Sequence, residues 1–184
     1  MIEYKCLTAD EARQRFSELG DVLQACVKDG ASVGFIDPTD RPAIDRFWQE
    51  KIDSLARRDC DLFIALDNGT AAGTVMVNYC ATPNGRHRAE MTKLLVHPQS
   101  RRQGIARALM MQAEQLAWEK GLVLLVLDTR SGDVASDLYR SLGWQSAGSI
   151  PFYAQSVENT LDSTTYMYKV NENAKAAIAS PLTA

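Results

Sequence analysis

Residues 96–110, Val-His-Pro-Gln-Ser-Arg-Arg-Gln-Gly-Ile-Ala-Arg-Ala-Leu-Met, constrain this chain more than any other stretch. They follow an apolar, strand-like run at 91–96, turn at Pro98 and enter an amphipathic helix, so the arginines and the glycine fall at a helix N-terminus. The first amides of a helix have no acceptor within it, and the macrodipole adds about half a positive charge there. Gly104 and Ala106 bring little or no side chain between a ligand and the backbone, while Arg101, Arg102 and Arg107 add formal positive charge. Strand, short turn and small-residue helix start together read as a cradle for a diphosphate. The nucleotide-binding patterns that use a similar layout are missing: no lysine follows Gly104 in the P-loop manner, and there is no dinucleotide fingerprint.

Composition narrows the setting. A length of 184 residues suits one core better than two, and 46% hydrophobic with 23% charged residues is ordinary for a globular protein. No window approaches the roughly 18 consecutive apolar residues of a membrane span, and the start, Met1-Ile2-Glu3-Tyr4-Lys5-Cys6, has no signal-peptide pattern. A cytoplasmic location and no membrane partner are expected. The net charge of −3 offers no basic surface for nucleic acid, and acidic groups near a cleft would favour a cationic substrate. Cys6, Cys26, Cys60 and Cys80 are scattered, with only His87 and His97 as imidazole partners, so no metal site is expected.

Periodicity supplies the element order. Thr8-x-x-Glu11 has capping-box spacing and opens one helix running on toward Val27; a glycine-punctuated loop, Gly30-Ala31-Ser32-Val33-Gly34-Phe35, follows. A second helix starts near Asp40 with Pro42 in its first turn, burying Ile44, Phe47, Trp48, Ile52 and Leu55. Residues 62–66 and 72–80 flank Asp67-Asn68-Gly69 as a hairpin. After a loop at Pro83-Asn84-Gly85 come a strand at 89–96 and a helix from Gly104 to about Lys120. A continuous apolar run at 122–127 reads as a strand buried on both faces. A short helix capped by Asp133 runs through Leu142, Trp144 begins a strand, and residues 164–170 form the last. The expected fold is α/β, a mixed and mostly antiparallel central sheet with helices on both faces. It forms a single domain over residues 1–170, with 171–184 as a disordered tail.

Arg101-x-x-Gly104-x-Ala106 and this element order resemble the GCN5-related N-acetyltransferase (GNAT) family over nearly the whole chain up to about Lys169. Segments 30–35, Pro83-Asn84-Gly85 with Arg88-Ala89-Glu90, and Leu127-Asp128-Thr129 with Leu138-Tyr139 are similar to members that inactivate a β-lactam toxin by acetylating its amine. The family often has glycine where this chain has Arg102 and Ala106. The resemblance implies a sheet splayed at an acetyl-CoA site and an enzyme that moves an acetyl group from acetyl-CoA to a primary amine of a small molecule, a toxin or antibiotic among the options, in a ternary complex. It implies cofactor contacts from Leu95, Val96, Arg101, Arg102, Gln103, Gly104, Ile105, Ala106 and Arg107, with the Val96 N–H donating to the acetyl carbonyl.

Glu90 and Asp128 are, on the same resemblance, the groups that take the amine proton, directly or through water. A carboxylate is a weak base unless burial or a neighbouring carboxylate raises its pKa. Taken singly, Glu90 would equally suit a solvated strand start and Asp128 a strand-end turn. Tyr139 matches the general acid near the cofactor sulfur, although Leu138 and Leu142 beside it would also suit a core tyrosine. Gly30, Ser32, Val33, Gly34 and Phe35 make either a plain connector or a substrate-binding lid. A catalytically inert acyl-CoA-binding module would keep residues 101–106 and dispense with Glu90, Asp128 and Tyr139; a protein or peptide acceptor is the other alternative. A monomer or a homodimer is expected.

Overall fold

Alternation along one strand decides how the layers stack. In the computed structural model, which describes residues 1–174, β2 (Cys60–Asp67) turns Leu62, Ile64 and Leu66 to one side and Phe63 and Ala65 to the other, and all five are buried. A strand covered on both faces needs helices on both. Against Leu62, Ile64 and Leu66 pack α1 (Ala9–Gln14), α2 (Phe16–Lys28) and α3 (Arg41–Ala56), through Leu19, Leu23, Ile44, Trp48 and Ile52. Against Phe63 and Ala65 pack α4 (Ile105–Glu119), through Ile105, Leu109 and Ala113, and Tyr139 from α5 (Val134–Ser141).

Seven strands form one sheet in the order β1-β2-β3-β4-β5-β7-β6. With β2 already placed, these are β1 (Ile2–Cys6), β3 (Thr70–Tyr79), β4 (Arg88–Val96), β5 (Leu124–Arg130), β6 (Gln145–Gln155) and β7 (Leu161–Val170). Every pairing is antiparallel except β4 with β5. That one parallel pair is short: Arg88, Ala89 and Glu90 face Leu124, Leu125 and Val126, and beyond them β4 runs on to Val96 and β5 to Arg130 without pairing to each other. The sheet is split there.

The split has a local cause. Between Thr74 and Met76 the register of β3 against β4 slips, so that Leu95 faces Thr74 while Thr92 faces Met76, which leaves one extra residue in β4. Lys93 absorbs it at φ 52°, and the Thr74 hydroxyl donates to the Lys93 carbonyl at 2.9 Å. A bulge of this kind bends and twists its strand. It also reverses the faces: Met91 packs on the α4 side, whereas Leu95 packs on the α2 side.

Several local signals act as expected. The Thr8 hydroxyl accepts from the Glu11 amide at 3.2 Å while the Glu11 carboxylate accepts from the Thr8 amide at 2.8 Å, closing the capping box. Asp40 accepts from the Ala43 amide at 3.0 Å and starts α3. Three expectations need correction. The single helix toward Val27 is two, broken at Arg15 (φ −103°, ψ 16°). An edge strand, β1, precedes it and pairs with β2. The run at 122–127 is not buried on both faces: Leu125 and Leu127 enter the α4-side core, but Leu124 and Val126 stay half-buried, because the core formed with α1, α2 and α3 takes its strand residues from β2, β3 and β4 alone. After β7, the Asn171 side chain donates to the Leu122 carbonyl at 3.1 Å and a short turn occupies Glu172–Ala174; the rest of the expected tail, 175–184, lies outside the described residues.

Candidate active site

One lip of the split carries a row of unpaired amides. The N–H groups of Gln103, Gly104, Ile105 and Ala106 find no acceptor among the described residues, since the first amide of this helix to bond back is that of Ala108, to the Gly104 carbonyl at 3.0 Å. Neighbouring free donors at the start of a 15-residue helix are an arrangement that can hold an anion. Gly104 is at φ 75°, and a Cβ built on it would meet nothing within 4 Å, so the concavity is open to a ligand. A cavity of about 640 Å³ runs along this lip, walled by Val96, Arg101, Gly104, Arg107 and Leu138 among others.

The end of β4 adds another free donor. Successive amides of a strand point to opposite edges, and the His97 amide donates to the Ala72 carbonyl of β3 at 2.8 Å. The Val96 amide therefore points away from β3 into the gap left by β5. Its carbonyl accepts from the Cys26 thiol at 3.4 Å, which anchors the strand end to α2.

Glu90 and Asp128 lie on the α3 side of the split, opposite in alternation to the core residues Ala89, Met91 and Leu127. Burial, followed by the charge of Asp128, pushes the Glu90 carboxyl above the usual range. Asp128 is open to the cleft and accepts from the Thr164 hydroxyl at 2.7 Å. Tyr139 reaches the split from the opposite side, on α5. It is 7% exposed, and burial holds its phenol far above the ordinary tyrosine pKa, hence protonated. Its hydroxyl has no hydrogen-bond partner among the described residues. Asp128 and Tyr139 share a cavity of about 380 Å³ that joins the first one past Leu94 and Arg130. Glu90 does not line that cavity; it stands at its foot, in the last paired rung with Val126.

The model of the acetyltransferase (GNAT) family covers residues 22–144, more than half of the chain. The chain belongs to the GNAT acetyltransferase family. This GNAT protein is 30% identical over 115 residues, 61% of its own length and 67% of the other's, to an uncharacterized N-acetyltransferase in the hisH–hisA intergenic region of Azospirillum brasilense. Its fold is similar to that of a ribosomal-protein-alanine N-acetyltransferase from Brucella melitensis (TM-score 0.76, 18% identity, 92% of this chain and 99% of that one). It is also similar to yncA of Salmonella typhimurium, solved with acetyl-CoA (TM-score 0.75, 16% identity, 92% and 94%). A phosphinothricin acetyltransferase from Sinorhizobium meliloti, in complex with acetyl-CoA, gives a TM-score of 0.76 at 16% identity over 92% and 88%. The GNAT protein is thus an acetyl-CoA-dependent N-acetyltransferase by family.

The remaining expected cofactor residues divide by what their side chains do. Those of Leu95 and Ile105 are in the core, 2% exposed each, so only their backbones face the cleft. Arg101 pairs with Asp29 at 2.5 Å on the wall of the larger cavity, and Arg107 donates to the Ser141 hydroxyl at 2.8 Å. Arg102 stands at φ 62°, a left-handed conformation in which a side chain costs about 1–2 kcal/mol, so the glycine that the family resemblance implies there would fit it without that cost.

Residues Ala31 to Gly34 of the glycine-punctuated loop line the smaller cavity, and the Arg130 guanidinium holds the loop across the cleft by donating to the Gly30 carbonyl at 3.2 Å. Phe35 is not part of that wall; its ring meets Phe47 edge-on at 5.7 Å and anchors the loop to α3. Two cleft residues escape sequence reasoning altogether. Lys93 occupies the bulge, a feature set by cross-strand pairing, and Arg130 follows Asp128 at ordinary strand spacing with nothing to mark it. Among the described residues no three His, Cys, Asp or Glu side chains gather as a metal site would require, and no helix is long and apolar enough to cross a membrane.

Proposed function

We propose that this protein transfers the acetyl group of acetyl-CoA to the primary amine of a small molecule, a toxin or antibiotic amine being one such acceptor, by direct attack with both substrates bound. The observation that carries this reading is the run of acceptorless amides at 103–106 on the lip of the split that Glu90, Asp128 and Tyr139 flank. Acetyl-CoA supplies an acyl thioester. The amides from Gln103 to Ala106 take its diphosphate, aided by the helix dipole and by Arg101, Arg102 and Arg107. The Val96 N–H, fixed by the pairing of His97 with Ala72, is oriented before reaction toward charge developing on the acyl oxygen.

An amine attacks only when neutral. Glu90, whose pKa is raised toward neutrality by burial and by Asp128, removes the proton directly or through water, with Asp128 beside it at the open end of the split. Tyr139, kept protonated and with its hydroxyl unpaired among the described residues, donates to the departing sulfur from the other side. The loop at 30–34 and its tether to Arg130 shelter the reacting groups from water. A cavity of about 380 Å³ lies within the range of small-ligand sites, which supports a small acceptor over a polypeptide.

The test is release of free thiol from acetyl-CoA over a panel of small amines, including toxin and antibiotic amines, beside peptides and folded proteins. Turnover with small amines is expected. Turnover confined to peptide or protein acceptors would overturn the reading.

A further inference from the structure

The cavity at the acceptor end has two cations in its wall, and they are in opposite situations. Arg130 is occupied on every side: it donates to Asp133 at 3.0 Å and to the Gly30 carbonyl at 3.2 Å, and it lies 3.7 Å from Asp162. Lys93 makes no hydrogen bond or ion pair among the described residues; its ammonium rests over the Phe47 ring, 5.0 Å from the centroid. A half-buried ammonium with no carboxylate in direct contact is costly, and a ring face compensates only part of that cost. The chain also holds Lys93 at φ 52° in the bulge that opens the split. Backbone strain and a charge with no direct ion pair meet at one residue of the proposed reaction site and point to a common purpose.

The charges around Lys93 indicate what that purpose is. Glu90 and Asp128 face it from β4 and β5, and Lys51 faces it from α3. An acceptor that is only a cation is drawn toward the two carboxylates and repelled by the two ammonium groups. An acceptor with an anion next to its amine satisfies both halves at once. We infer that this acetyltransferase selects amines that carry a neighbouring carboxylate, amino acids or molecules built like them, with the carboxylate on Lys93 and the amine turned to Glu90 and Asp128. This rests on the acceptor site proposed above and adds the chemical class of its occupant. Lys93 is then a specificity-determining residue. A neutral methionine in its place would leave the amine end of the site intact.

The experiment compares each L-amino acid with its own carboxamide, which keeps the amine and side chain and removes the anion. Because the carboxamide amine is the less basic of the two and so more often neutral, intrinsic reactivity favours it, and a preference for the carboxylate can come only from the protein. For the wild type, kcat/KM is expected to favour the amino acid by about 10- to 100-fold for the best acceptor, the size expected of a hydrogen bond between charged groups. In Lys93→Met that ratio falls toward one through KM, and Lys93→Arg retains part of it. Equal or inverted preference in the wild type, or an unchanged ratio in Lys93→Met, would overturn the inference. Calorimetric titration of the same pairs into CoA-saturated protein separates this outcome from failure of the catalytic reading. If no amine turns over, tighter binding of amino acids than of carboxamides, lost in Lys93→Met, still supports the anion site; equal binding, or none at millimolar concentration, contradicts it.

Discussion

Glu90 and Asp128 sit on adjacent strands at the point where these part: Glu90 occupies the last paired rung, opposite Val126, and Asp128 lies two residues farther along β5, where its charge reinforces burial in raising the Glu90 carboxyl pKa. The parallel pairing that ends at this rung thus sets both the shape of the cleft and the basicity of the acid at its foot. If ionised Glu90 takes the amine proton, kcat/KM rises with pH along a limb placed above the usual carboxylate range. Asp128→Asn removes a negative neighbour, so the limb is expected to move to lower pH. Rate profiles of the two proteins check this, and an unshifted limb would remove Asp128 from the account.

The same raised pKa has a consequence for stability. A carboxyl whose pKa is higher folded than unfolded contributes stability below its unfolded pKa and loses it as pH rises through the folded value. Once ionised, Glu90 is therefore a destabilising group. Glu90→Gln is expected to raise Tm at pH 7 to 8, with the gain shrinking as pH falls into the ordinary carboxylate range, while turnover drops by about 100-fold or more. Melting curves at several pH values, beside thiol-release rates, test both halves.

Tyr139 is buried beside Trp144, with ring centroids 6.2 Å apart, yet its hydroxyl is unpaired among the described residues. Removing that oxygen leaves the packing in place. Tyr139→Phe is expected to lower kcat by about 10- to 100-fold and to leave both acetyl-CoA affinity and Tm near the wild-type values. A drop in Tm with unchanged kcat would mark Tyr139 as a core residue only.

What was legible in the sequence was local. The Thr8 and Asp40 caps, the Asn68-Gly69 turn (φ 50° and 85°) and the start of α4 after Gly104 each depend on a few consecutive residues, and each lies where local rules place it. What was missed depends on pairing across the sheet. Strand β1 has only one buried neighbour to register against, and its own pattern is half-exposed. The bulge at Lys93 follows from the slip against Thr74 and Met76, and no single segment encodes it. Glu90 and Asp128 were named through a family resemblance, but that they influence each other follows from the three rungs joining β4 to β5.

Arg102 and Gly104 make opposite predictions two residues apart. At φ 62° Arg102 is strained and exposed, so Arg102→Gly is expected to change stability by a gain of about 0.5–1 kcal/mol, the relief of the left-handed penalty less the extra chain entropy of glycine. At φ 75°, Gly104→Glu brings both backbone strain and a negative charge into the open concavity. Loss of acetyl-CoA binding by about 100-fold or more is expected, beyond the ~1–3 kcal/mol such strain costs the fold. Chemical denaturation and calorimetry measure the two effects separately.

The central claim is that the amides of Gln103 to Ala106, acceptorless among the described residues, bind the diphosphate of coenzyme A. Titrating coenzyme A into ¹⁵N-labelled protein while following backbone amide resonances tests it directly. The expected result is that the amides of Gln103, Gly104, Ile105 and Ala106 move downfield together and saturate with the calorimetric Kd. Saturating binding that leaves those four resonances in place, with the shifts elsewhere in the molecule, would contradict it.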